Sequence, residues 1–459
     1  MDEYINNNVD QLLDTTQEIL KIKSVEEPPL PGMPFGEGPA KALNYVLELA
    51  DSFGMKTKNL DNYVGWAEWG NGEELIGVLV HLDVVPEGSG WSYPPYGAQI
   101  HDGKIYARGA MDNKGPAMAA LFALKSLKDA GIKFNKRVRI IFGTNEETGF
   151  ECIKHYIAHE EIPTMGFSPD ANYPIINGEK GIMTFTFKTD FNCGEAEPGF
   201  KILSFKGGER PNMVPDFAEA VLSGEYDVVK KKLEIFNKEK DYDIKLIKDN
   251  GNIVLKSYGT SAHGSTPEKG QNAIMQLTAL LGEVDLCSSQ KHFIKFLNEK
   301  IGLDTTGKNL QVDFYDKLSG HLTFNVGVAE INEENAEVTI NIRYPIESKG
   351  DNVLQNIRKN TPDTISIADI SDKEPHYVPE DNLMIQKLKE AYEKVTGEEA
   401  YCFTIGGGTY ARMFKNCVAF GPTFPGKPEL AHEKDEYIEV EDLVKNLKIY
   451  AYVLKELVK

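Results

Sequence analysis

Residues Glu74 to Val85, ELIGVLVHLDVV, form an apolar run in which His81 and Asp83 are the only ionisable residues after the first. A stretch of this length with no polar face predicts a strand buried on both sides, and such strands belong to sheets covered by helices on both faces. Met118, Leu121, Leu124 and Leu127 then recur every third residue, so a helix is predicted from Lys114 to Ala130, closed by Gly131. RVRIIF, Arg137 to Phe142, predicts the next strand. Strand, helix and strand at this spacing form a βαβ unit and imply a mostly parallel sheet. Ala40 to Phe53, with apolar residues at helical spacing after a Pro/Gly-rich stretch, predicts a helix before it.

The pattern changes near Lys188. Short alternating segments (TFTFKT, IVLKSYG, AEVTINIRY) and charged helices such as Asp227 to Lys240 read as α+β with an antiparallel sheet. After Asp381 the first pattern resumes, with a helix to Val395, strands near Tyr401 to Ile405 and Val418 to Gly421, and a last amphipathic helix using Val440, Leu443, Leu447, Leu454 and Val458. The expected architecture is α/β, a mostly parallel sheet flanked by helices, with an α+β domain inserted into it. The expected divisions are 1–187, 188–377 and 378–459.

Composition narrows the function. With 50 basic and 70 acidic residues the net charge is -20, which argues against nucleic-acid or anionic-membrane partners. The five cysteines are scattered and form no CxxC pair, so neither a disulfide scaffold nor a thiolate zinc site is expected, and a reducing compartment fits better. MDEYINNNVD has neither the basic nor the apolar region of a secretion signal, and no apolar run approaches the roughly 18 residues that cross a bilayer. A cytoplasmic protein is expected.

Ionisable residues gather where the predicted strands end, the edge at which open α/β sheets bind ligands. His81 and Asp83 lie two apart and would face the same way in a strand. Asp112 sits in RGAMDNKG before a helix, where it could equally be a helix cap. Glu146 and Glu147 follow RVRIIF in GTNEETG, Asp170 follows in SPDA, and His432 lies in PELAHE. Imidazoles and carboxylates without clustered cysteine suit zinc, manganese or cobalt. Two ions about 3.5–4 Å apart need a shared carboxylate, for which Asp112 is placed. Adjacent glutamates could then divide the work, one binding metal and the other facing water as general base.

The ordered set HLDVVPEG, ARGAMDNKGP, GTNEETGF, SPDANYP and PELAHEKDE resembles the two-zinc aminopeptidase and carboxypeptidase superfamily that contains aminoacylase and carnosinase. The resemblance is nearest to its bacterial dipeptidase V branch and spans essentially the whole chain, through GGERPNMVPD, GTSAHGSTPEKGQNA, NIRYP and TIGGGTYAR. It implies that His81 and Asp170 hold one ion, that Glu147 and His432 hold the other, and that Asp112 bridges them. Asp83 would orient a ligand imidazole, and Glu146 would serve as base and then as acid. The inserted domain would be a lid supplying Asn212, His263 and Arg343, with Gly406, Gly407 and Gly408 letting backbone amides approach the substrate. The implied activity is hydrolysis of dipeptides by a metal-bridged hydroxide, with zinc the first expectation and manganese or cobalt possible. The alternative is a related amide hydrolase of N-acyl amino acids, of the aminoacylase or desuccinylase type. A monomer is expected, because the inserted segment is long enough to stand in for a partner's lid.

Overall fold

The run around His81 becomes the strand Leu75–His81, buried at every position, in a computed structural model that describes residues 1–194 and 197–459. The strand stops at His81 rather than at Val85, and Asp83 follows on the connection beyond it. It pairs parallel with Arg137–Gly143 on one side and Met165–Ser168 on the other. Met165–Ser168 pairs parallel in turn with Cys417–Ala419. Parallel pairing occupies this centre of a nine-stranded sheet, whose outer neighbours join antiparallel, as Val64–Gly70 does to Arg137–Gly143. In this register His81 lies opposite Gly143, so the carboxyl ends of adjacent strands open on one edge.

Helix Lys114–Asp129 is buried along most of its length, with only Lys125, Lys128 and Asp129 outside the buried set, as befits a helix enclosed by other elements. It packs against helix Val440–Leu457, helix Val9–Leu20 and strand Leu75–His81.

The chain divides into two compact units. The first comprises Met1–Gly178, Tyr377–Phe403 and Gly408–Lys459; the second comprises Glu179–His376 with Thr404–Gly407. The first boundary thus falls before residue 188, because strand Gly181–Asp190 is laid into the second sheet, between Asn335–Tyr344 and Ser366–Lys373. That second sheet has eight strands, antiparallel at every pair. Its strands alternate, as Phe217–Ser223 does, and helix Ala273–Leu281 packs on strands Phe217–Ser223, Asn252–Tyr258 and Thr323–Asn332 to close a core of its own.

One expectation about the cysteines is corrected. Cys193 and Cys287 form a disulfide across 94 residues, with Cα atoms 5.9 Å apart. The pairing comes from chain topology, which spacing along the sequence does not reveal: the amide of Cys287 bonds the carbonyl of Phe200 at 2.9 Å beside a bridge between Phe200 and Leu286. Cys152, Cys402 and Cys417 are not part of a disulfide.

Candidate metal centre

The carboxyl ends of three central strands, the loop before helix Lys114–Asp129 and the loop carrying His432 converge on one cluster. The ligand atoms of His81, Asp112 and Glu147 lie within 4.8 Å of one another, as do those of His81, Glu146 and Asp170. Asp112 faces two ways. Its Oδ1 lies 2.9 Å from His81 Nε2, which is itself 3.4 Å from Asp170 Oδ1. Its Oδ2 lies 3.3 Å from His432 Nε2, which is 3.0 Å from Glu147 Oε2. One carboxylate therefore serves two imidazole–carboxylate pairs, the division expected of a bridging ligand.

Local structure explains how each group is aimed. Asn113 is the residue before helix Lys114–Asp129 and would ordinarily cap it, yet it makes no cap bond. Its Nδ2 donates instead to Pro169 O (2.5 Å) and Asp170 Oδ1 (3.1 Å). The backbone amide of Glu147 donates to Asp83 Oδ2 at 3.1 Å, which braces the glutamate pair. The nearer partner of His81 Nδ1 is the backbone carbonyl of Asp83, at 3.0 Å, with Asp83 Oδ1 at 3.6 Å. His432 is held with φ of 66°, a left-handed conformation uncommon outside glycine.

Crowding shifts every group in the cluster. Burial, then the nearby Asp170, raises the Glu146 carboxyl well above the usual carboxylate range. Burial, then Asp112, pushes Glu147 up to about 7. Burial likewise raises Asp170. Burial works against the protonated form of His81, but Asp170 and Asp112 outweigh it and raise the imidazole well above its ordinary value. Hydrogen bonds to Asp112 and Glu147 lift His432 to about 10. Against the effect of its own burial, Asp112 is held below the carboxylate range by His432 and His81. A buried excess of carboxylates that retains protons on its partners is a site in which divalent cations can replace those protons. The donor chemistry therefore fits the group that the sequence implied.

The second unit gathers the other expected residues among themselves. The short strand Met213–Val214 pairs with Ala262–His263, and Gly264 N donates to Asn212 O at 2.7 Å. Ser265 N donates to His263 Nδ1 at 3.2 Å, which places the hydrogen of the neutral ring on Nε2. Arg343 is committed through Nε to Asn341 Oδ1 (3.0 Å) and through Nη1 to Gly406 O (2.8 Å). Gly406 thus offers its carbonyl to Arg343, and a Cβ there would stand 2.6 Å from Ser265 Cβ. Gly407 belongs to this unit and Gly408 to the first.

Sequence reasoning passed over Arg108, Asn113 and Glu436, although all three lie in quoted motifs. Their signal was a charged or amide side chain in a segment otherwise read for its metal ligands, and each is buried.

A sequence model for the family described as peptidase family M20/M25/M40 matches residues 77–456. The chain is 43% identical over 461 residues to a Bacillus subtilis protein named "Putative dipeptidase YtjP", covering 100% of this chain and 99% of that one. A Staphylococcus haemolyticus protein named "Putative dipeptidase SH1171" is 35% identical over 458 residues, covering 98% and 97%. Among solved structures, human carnosine dipeptidase 1 aligns over 99% of this chain and 98% of its own, with TM-score 0.57 and 16% identity. The M20 family metallo-carboxypeptidase Sso-CP2 from Sulfolobus solfataricus aligns over 97% and 98%, with TM-score 0.59 and 20% identity. These two show the shared fold.

Proposed function

The chain belongs to the M20 family of metal-dependent peptidases, and from that membership we propose that it is a zinc-dependent dipeptidase that works as a monomer with two divalent ions. The observation that carries this reading is the two-sided Asp112, with an imidazole and a carboxylate on each flank. His81, Asp170 and Asp112 would hold one ion; His432, Glu147 and Asp112 would hold the other. When bound, the ions supply Lewis acidity to the scissile carbonyl and to the attacking water.

The residues of the chain do the rest. Glu146 stands beside His81 and Asp170. It takes the proton of the attacking water and delivers it to the departing amine, so that a single carboxyl acts first as base and then as acid. Asp83 holds the glutamate pair in place through the amide of Glu147. In the second unit, we assign His263 as the Nε2–H donor to the developing oxyanion. Asn212 and Arg343, with the Gly406–Gly407 backbone, are assigned to the substrate's carboxylate end. Among the described residues no helix is long and apolar enough to cross a membrane.

The test is a panel of dipeptides, the corresponding tripeptides and N-acyl amino acids, assayed on enzyme stripped of metal and reconstituted with zinc, manganese or cobalt. Dipeptides should be cleaved, with tripeptides much poorer substrates. Preference for the N-acyl amino acids would replace this reading with the aminoacylase type, and comparable kcat/KM for di- and tripeptides would exclude a site closed around two residues.

A further inference from the structure

Glu436, four residues after His432, is fully buried, with 0% exposure. Both of its oxygens are occupied by the loop that presents Asp112. Oε2 accepts from Arg108 Nη1 (2.7 Å) and Gly109 N (2.9 Å), while Oε1 accepts from Met111 N (2.8 Å) and Asp112 N (3.1 Å). Arg108, itself buried, uses Nη2 to reach His432 O at 3.2 Å. One carboxylate and one guanidinium therefore tie the backbone of the shared ligand Asp112 to the backbone of His432. Without that tie, nothing in the bonds just named would hold His432 in its left-handed conformation.

The other pair is braced independently. Asn113 donates to Asp170 Oδ1 and accepts from His81 N at 3.4 Å, and Glu436 bonds neither residue. The two flanks of Asp112 thus share the hold of Glu436 on the Asp112 amide but differ in what braces the outer ligands.

We propose that Glu436, acting through Arg108, is a positioning residue that weighs most on the His432–Glu147 side of the centre, because the other side keeps the Asn113 brace on His81 and Asp170. The inference rests on the two-ion reading above. A carboxylate is required because four N–H groups converge on it; an amide would offer one acceptor oxygen and turn its own N–H groups against two of those donors. Partners of this kind orient ligands, and their loss weakens metal affinity by about 10–100-fold.

The experiment is stepwise calorimetric titration of metal-free protein with Zn2+, followed by the same titration with Co2+ to read the visible absorption of each bound ion. Wild-type protein should take up two ions in distinguishable steps; a single ion would defeat the two-ion reading, not this inference. In Glu436→Gln one step should weaken by about 10–100-fold, while the other, still braced by Asn113, should weaken far less. Arg108→Met leaves the carboxylate on the loop amides but cuts the tie to His432, and should weaken the same step, so it carries the test if Glu436→Gln fails to fold. His432→Ala removes that step outright; adding Arg108→Met to it should leave the remaining affinity unchanged. Unaltered steps in folded Glu436→Gln and Arg108→Met would overturn the proposal. An equal loss of both steps, as a merely structural role predicts, would also overturn it.

Discussion

Glu146 and Glu147 are consecutive, and substitution should separate them. Glu146→Gln should retain its metal and lose about 10²–10⁴-fold in kcat, the usual scale for a missing general base. Glu147→Gln should instead bind metal poorly; metal analysis beside kcat on both variants would reverse the assignment if Glu146→Gln were the metal-poor one. His263→Ala should keep metal and fold while kcat falls about 10²–10³-fold, as for other lost oxyanion donors, and an unimpaired kcat would end that role. The raised groups also set a pH dependence. Without metal, Glu147 (ordinary value 4.5, here about 7) favours the fold while protonated, and this contribution is lost as pH rises toward 7. His432 contributes fully below its ordinary 6.5 and loses that contribution as pH rises through about 10. Metal uptake must displace these protons, so calorimetry in buffers of differing ionisation enthalpy should show proton release, with affinity that grows with pH. An uptake that released no protons near pH 7 would contradict the shifts described here.

Elements carry the site because strands end where ligands begin. Gly166, in strand Met165–Ser168, lies opposite Gly77, and a Cβ there would run into the Gly77 carbonyl oxygen. Backbone cannot swing aside, so Gly166→Ala should cost about 1–3 kcal/mol. Thermal melting should fall about 2–4 °C per kcal/mol and metal affinity should fall with it, since Asp170 follows directly; an unchanged melting temperature would show that the strands can part there. This level was the most legible in the sequence. The apolar run before His81 and RVRIIF before the glutamates announced two central strands, because burial on both faces leaves little choice of residue. The gathering of His81, Asp112, Glu146, Glu147, Asp170 and His432 in one place was legible too. Their supports were not: Glu436 is satisfied mainly by backbone amides, and Asn113 gives up a cap bond, neither of which leaves a mark in residue type or spacing. The antiparallel outer strands, and the pairing of Cys193 with Cys287, depend likewise on contacts between segments far apart in the chain.

At the scale of the whole molecule, each unit has hydrophobic core of its own, and among the described residues the candidate ligand cluster lies within the first unit. Chelation should therefore act unevenly. A ligand present at 100 times its Kd stabilises by about 2.7 kcal/mol, so scanning calorimetry with and without EDTA should lower the transition of the first unit and leave that of the second in place. Equal shifts would mean that the two unfold as one. Light scattering on active enzyme should find a monomer, and an obligate dimer with no active monomer would remove that part of the proposal.

The strand Cys417–Ala419 sits beside Met165–Ser168 in the central sheet, 251 residues apart where Val418 faces Phe167, with the second unit between them in sequence. This has a consequence for birth on the ribosome. The second unit, continuous from Glu179 to His376 but for Thr404–Gly407, is fully translated while the first still lacks a central strand and His432. Order of emergence favours the later-named unit settling first, with the hydrolytic centre assembled near the end of synthesis. A nascent chain would then carry an incomplete centre, unable to cut peptides, through most of its translation.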